Sequence, residues 1–188
     1  YIYICRFAGF GRNPSGWLFN RQRANGILGG FGSHAIDLAR WHIGEIAKVS
    51  GSLASFVDSP EAEGQIPDPA NNSALLAVEF VNGAQGIIHA SAVAHKLQWK
   101  IILHGDSGML EADLSLMREI RGIQNDEQDF RRLSIPEHIL EGVDQTQSAM
   151  AQNIELFTKQ SIGDRMFIDA ILKDKPVFPN FYDGLKAQ

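Results

Sequence analysis

Two β-rich runs, Ser73 to Val81 and Ala84 to Ala94, are separated only by Asn82-Gly83. Few joints constrain a chain so strongly. Asn and Gly both tolerate positive φ, so the dipeptide predicts a two-residue type I′ turn and a β-hairpin. An isolated hairpin is marginal in water, so its apolar face needs further strands or a helix layer. The flanking sequence supplies both. Trp99 to His104 reads as a third strand, which Gly105-Asp106-Ser107-Gly108 turns into a fourth, Met109 to Leu114. Residues 117–123 and 130–135 read as two more, and residues 1–8 and 46–57 have strand character upstream. Helical spacing runs over Ser33 to Ile43, with Gly44 as its stop. It returns from about Gln145 through Ile154, Phe157 and Ser161, and again over Asp164 to Leu172 with Phe167, Ile168 and Ile171. Strands that follow one another in the middle, with helices towards the ends, predict an α+β fold. Its form is an open, mainly antiparallel sheet with helices packed on one face.

The 188 residues suit a single domain, 1–188. The charge balance narrows the function classes. With 17 Lys and Arg against 22 Asp and Glu, the net charge is −5, which argues against a nucleic-acid partner, since that would need a basic face or stripe. No basic run suits a membrane surface, and no apolar run approaches the roughly 20 residues of a membrane span. Cys5 is the sole cysteine, which excludes an internal disulfide framework and a cysteine zinc cage. A reducing, cytoplasmic setting is the expectation.

Gly30-Phe31-Gly32-Ser33-His34-Ala35 matches the pattern G-x-G-x-x-A. That pattern cradles a pyrophosphate only when a buried strand runs straight into the glycines. Here the polar stretch Asn20 to Asn25 precedes them, so close packing is the better reading of the glycines. His34 is placed by its surroundings at a helix start. The positive potential of a helix N-terminus favours a neutral imidazole, the form a general base needs. Asp37, at i+3, reaches the same region. A packing or capping role for His34 competes with the chemical one. The other histidines lack metal-ligand spacing. Trp17, Trp41 and Trp99 read as core residues, and Cys5, in an apolar strand, reads as inert.

The segment Gly26-Ile27-Leu28-Gly29-Gly30-Phe31-Gly32-Ser33-His34-Ala35-Ile36-Asp37, followed by Trp41 and Gly44-Glu45, resembles the opening of the C-terminal domain of the Gfo/Idh/MocA family. Further matches are Trp17-Leu18-Phe19, Phe80-x-Asn82-Gly83, Ile102-x-x-Gly105-x-x-Gly108, Phe167-Ile168-Asp169-Ala170-Ile171 and Asp183-Gly184-Leu185. The resemblance implies one half of an NAD- or NADP-dependent oxidoreductase acting on a sugar, polyol or related hydroxy compound. The cofactor would be held mainly by an N-terminal Rossmann domain. It implies His34 as the catalytic group that moves the proton of the reacting hydroxyl, with Gly30, Asp37 and Trp17 at the substrate. It also implies a homo-oligomer built through the sheet face, and a helix that begins before Ser33. The chain departs from the family pattern at Gly30, where many members carry an Asp one turn before the His. On that departure rests the alternative, a non-catalytic binding or oligomerisation module. The chain opens on Tyr1-Ile2-Tyr3-Ile4, already inside an alternating pattern, and ends at the opening of a helix, Phe181 to Gln188. A fragment lacking its dinucleotide-binding domain is therefore expected.

Overall fold

The structure is a computed structural model. It describes residues 1–8, 17–56, 60–61, 64–65, 70–113, 119–140, 143–148, 151–152, 154–155, 158 and 164–188. Ten strands are described: β1 Ile2–Ala8, β2 Ile46–Ala54, β3 Pro60–Glu61, β4 Gly64–Gln65, β5 Ser73–Phe80, β6 Gln85–Ser91, β7 Gln98–His104, β8 Gly108–Asp113, β9 Glu119–Gln124 and β10 Arg131–Arg132. The described α-helices are α1 Ser33–Ile43, α2 Asp164–Lys173 and α3 Phe181–Ala187. Of the helix expected from about Gln145, positions 151–152, 154–155 and 158 are helical. Phe157 and Ser161 lie outside the described residues.

Eight strands form one sheet in the order β10-β9-β8-β7-β1-β6-β5-β2, and β3 and β4 pair separately. Pairing is antiparallel except between β1 and β6, which run parallel. The parallel pair follows from chain order. β1 inserts between β6 and β7, and the route from its end to β6 passes through α1, β2 and β5.

The hairpin joining β5 and β6 forms where expected, but with a different turn. Gly83 N–H donates to Phe80 O at 2.9 Å, and Phe80 N–H donates to Ala84 O at 2.8 Å. Gly83 has φ +84°, whereas Asn82 is not among the residues with positive φ. The loop is therefore a type I turn closed by a left-handed glycine, not the type I′ turn. Asn82 is occupied with tertiary contacts instead. Its Nδ2 donates to Ile43 O at the end of α1 (3.0 Å), and its Oδ1 accepts from Ala84 N–H (3.0 Å).

One sheet face is covered. Tyr3 and Cys5 of β1, Leu76, Val78 and Phe80 of β5, Ile88 of β6 and Ile101 of β7 form the core with Ala35 and Ala39 of α1. The two alanines are four residues apart, so they share a helix face and bring α1 close to the strands. α3 packs against α1. Its start is closed by a capping box: Asn180 Oδ1 accepts from Tyr182 N–H, and Asp183 Oδ2 accepts from Asn180 N–H.

The other face is open. Ile4 stands opposite Ile87 on one side and Ile102 on the other, and Leu75 stands opposite His89. Ile2, Leu75 and Ile87 are each nearly half exposed. Lys48 and Glu79 pair at one flank, and Lys100, Glu111 and Asp113 at the other.

Candidate functional site

The glycine-rich segment does not end where α1 begins. Ile27 is already helical, the helix widens into a π turn over Leu28–Gly32, and α1 continues without a break. Ser33 N–H bonds to Leu28 O, and Ser33 Oγ bonds back to Gly29 O (2.9 Å) and Gly30 O (3.1 Å). His34 therefore lies well inside a helix. The expected helix start at Ser33 is corrected, and the N-terminal potential invoked for the imidazole falls away with it. The physical reason is the stretch of small residues. At Gly30 an added Cβ would stand 2.5 Å from Leu18 Cδ1, so the bare backbone lets Leu18 of Trp17–Phe19 close on this turn without shifting its side chain. Gly26 has φ +75°, and a Cβ there would meet Asn71 O at 2.2 Å. Asn71 then ties the segment down: its Oδ1 accepts from Leu28 N–H, and its Nδ2 donates to Asn25 O.

This geometry also decides the fingerprint. Gly29, Gly30 and Gly32 lie inside a helical turn, and the N–H groups of Ile27 and Leu28 ahead of them are taken by Asn71, so the segment forms no loop around a pyrophosphate. The described residues do not fit a dinucleotide cradle.

What the segment does build is one wall of a cleft of about 510 Å³. The cleft is lined by Phe7, Phe31, His34, Ala35, Asp37, Leu38 and Trp99. Phe7 comes from β1, Trp99 from its register partner on β7, and Phe31 from the π turn. Phe7 and Phe31 stack at 4.8 Å, Trp99 meets Phe7 edge-on at 5.0 Å, and the Phe31 ring lies 6.4 Å from that of His34. His34 is exposed and Asp37 partly exposed, both on the cleft. The result is an apolar aromatic surface beside one imidazole and one carboxylate.

Of the residues expected at the site, His34 and Asp37 are brought together. Gly30 lies one helical turn from His34 but is packed under Leu18. Trp17 is 63% exposed and is not among the residues that line the cleft. The core reading of the tryptophans is corrected as well. Trp41 is 80% exposed with its ring tilted against that of His42, while Trp99 is the tryptophan on the cleft. Cys5 is buried, and burial pushes its thiol above the usual range, in keeping with an inert role. Phe7 was legible as the third residue of the alternation Tyr3, Cys5, Phe7. Its pairing with Trp99 was not, because strand register appears only in the folded sheet. Among the described residues no three His, Cys, Asp or Glu cluster as a metal site, and no helix is long and apolar enough to cross a membrane.

Arg40, one turn beyond Asp37, has a side chain only 8% exposed. Its guanidinium faces Asp37, Glu45 and Asp183. Its hydrogen bond to Glu45 is the largest influence raising its pKa, and the same bond lowers that of Glu45.

This fold, an open and mainly antiparallel sheet with helices on one face, recurs among solved oxidoreductases. A levoglucosan dehydrogenase in complex with NADH and levoglucosan superposes with a TM-score of 0.80 at 21% identity, over 99% of this chain and 53% of that one. An NAD-binding oxidoreductase from Klebsiella pneumoniae gives 0.76 at 21% identity, over 100% of this chain and 54% of that one. In sequence, the levoglucosan dehydrogenase of Pseudarthrobacter phenanthrenivorans is 26% identical over 93% of this chain and 50% of its own length. The profile of the GFO/IDH/MocA C-terminal domain matches residues 2–111. The chain belongs to that family, and it spans about half the length of the relatives it matches.

Proposed function

We propose that this chain is the substrate-binding and catalytic-histidine half of an NAD- or NADP-dependent sugar oxidoreductase. The observation that carries the reading is the cleft itself, where His34 and Asp37 stand beside the wall of Phe7, Phe31 and Trp99. A polyhydroxylated ring suits both halves of that surface. Its C–H face lies against the aromatic wall, and a hydroxyl turns towards His34. His34 takes the proton of the hydroxyl being oxidised, general-base work suited to an imidazole. The nicotinamide, held by the other half of such an enzyme, supplies the hydride acceptor. The similar levoglucosan dehydrogenase binds NADH and levoglucosan in its solved complex, which supports a cyclic neutral sugar here.

The experiment is steady-state kinetics on the intact enzyme with a panel of cyclic sugars and open-chain polyols. His34→Asn lowers kcat by about 10²-fold or more, within the range that a positioned acid–base group contributes. Trp99→Ala raises KM for a cyclic sugar more than it lowers kcat. Near-normal turnover of His34→Asn overturns the catalytic assignment. It leaves instead the non-catalytic module suggested by Gly30, which lacks the carboxylate that the family resemblance implies one turn before the histidine. We also propose that the open sheet face, with Ile4, Ile87, Ile102 and Leu75 at its centre, joins copies of the chain.

A further inference from the structure

We infer that Arg40 is a positioning residue that holds Asp37 at the cleft and makes its placement depend on the docking of α3. The inference rests on the reading of the cleft as the substrate site, but its own evidence is separate. Arg40 has five N–H donors. Nε and Nη2 fork onto Glu45 at 3.4 and 2.7 Å, and Nη1 donates to both Asp37 Oδ1 at 3.4 Å and the backbone carbonyl of Asp183 at 3.0 Å. Nη2 also faces Asp183 Oδ1 at 3.7 Å. The guanidinium is planar and its donors are set in a rigid fork. The Glu45 carboxylate, gripped along one edge, therefore fixes the plane, and the plane fixes where Nη1 stands.

That single nitrogen serves two masters. One of its bonds goes to the carboxylate that lines the cleft, and the other to the first turn of α3. Asp183 is also the residue whose carboxylate closes the capping box of α3, so loosening that turn moves the carbonyl that Nη1 binds. Committed in this way, Arg40 is not a free cation for an anionic substrate. It is a strut between the C-terminal helix and the acid beside His34.

The test uses the intact enzyme and a double-mutant cycle. Arg40→Lys keeps the charge but cannot fork, and it lowers kcat about tenfold with little change in KM, as misplacement of a group at the reacting centre does. Asp37→Asn lowers kcat by a similar factor. The combined variant is no worse than either single one, because both remove the same interaction. Glu45→Gln, at an exposed partner, loosens the same plane without touching the core, and it keeps the cycle available if Arg40→Lys does not fold. Factors that multiply in the cycle, or an Arg40→Lys enzyme with unchanged kcat, overturn the inference. Hydrogen exchange gives a second readout that needs no turnover: Arg40→Lys raises exchange of the α3 amides at least tenfold. Unchanged protection of α3 overturns the link to α3 even if His34 proves not to be catalytic. An inactive wild-type enzyme with α3 loosened in Arg40→Lys would instead count against the catalytic reading alone.

Discussion

Among the described residues Tyr3 is the largest fully buried side chain, and its hydroxyl finds no oxygen or nitrogen partner among them. The polar group beside it is the thiol of Cys5, two residues along the same strand and a weak partner. Burial first, and then the thiol, push the phenol above its ordinary pKa range. A buried hydroxyl left unpaired costs about 1–3 kcal/mol. Tyr3→Phe removes that cost and leaves a gap the size of one oxygen atom, which gives back part of the gain. The ring keeps its edge-on contact with Phe80, with centroids 6.3 Å apart at 81°. The expected net effect is a stabilisation of about 1 kcal/mol, or a rise in Tm of about 2–4 °C for a domain of this size. Urea unfolding reads it as a raised midpoint at unchanged slope. Tyr3→Leu is the control. It removes the ring as well, and it destabilises by about 2–4 kcal/mol through the cavity and the lost aromatic pair. A Tyr3→Phe protein less stable than the parent refutes the reasoning, because the hydroxyl would then be paired in solution.

Two further outcomes follow from the open face. Ile4→Glu places a charge between Ile87 and Ile102, so sedimentation shows the parent as an oligomer and the variant as a monomer with an unchanged circular dichroism spectrum. A parent that sediments as a monomer at high concentration refutes the proposed interface. His89 has its pKa lowered, first by burial and then by Arg6, its register partner on β1. Below an ordinary histidine pKa of about 6.5 the unfolded chain takes up a proton that the folded chain resists, so stability falls as pH falls through that value. Denaturation of the parent and of His89→Gln at pH 7.5 and 5.5 measures this. The variant loses less stability on acidification, and an equal loss in both shows that His89 contributes nothing.

Much of the fold was legible along the chain. The alternation of Tyr3, Cys5 and Phe7, the paired runs about Asn82-Gly83, and the glycine turn at Gly105 to Gly108 are local patterns, and local patterns suffice for strands and their turns. His34 and Asp37 were legible too, because i and i+3 on a helix share a face wherever the helix is packed. The reading failed where a residue's conformation depends on a distant partner. Asn82 keeps a negative φ while its side chain bonds Ile43. The helix runs back through Gly32, Gly30 and Gly29 to Ile27, where Leu18 and Asn71 pack against the segment. Trp99 reaches the cleft only because β1 inserts beside β7, while Trp17 is left outside it.

The sequence by itself determined which segments extend, which coil, and which pair of polar side chains shares a helix face, since each depends on neighbours within a turn or a hairpin. Tertiary structure alone decided what stands opposite that pair. Register set Trp99 against Phe7, and the docking of α3 put Asp183 on the same guanidinium as Asp37. Both unite groups far apart in the chain, and their meeting depends on the packing of the whole sheet and its helices, which no local pattern records.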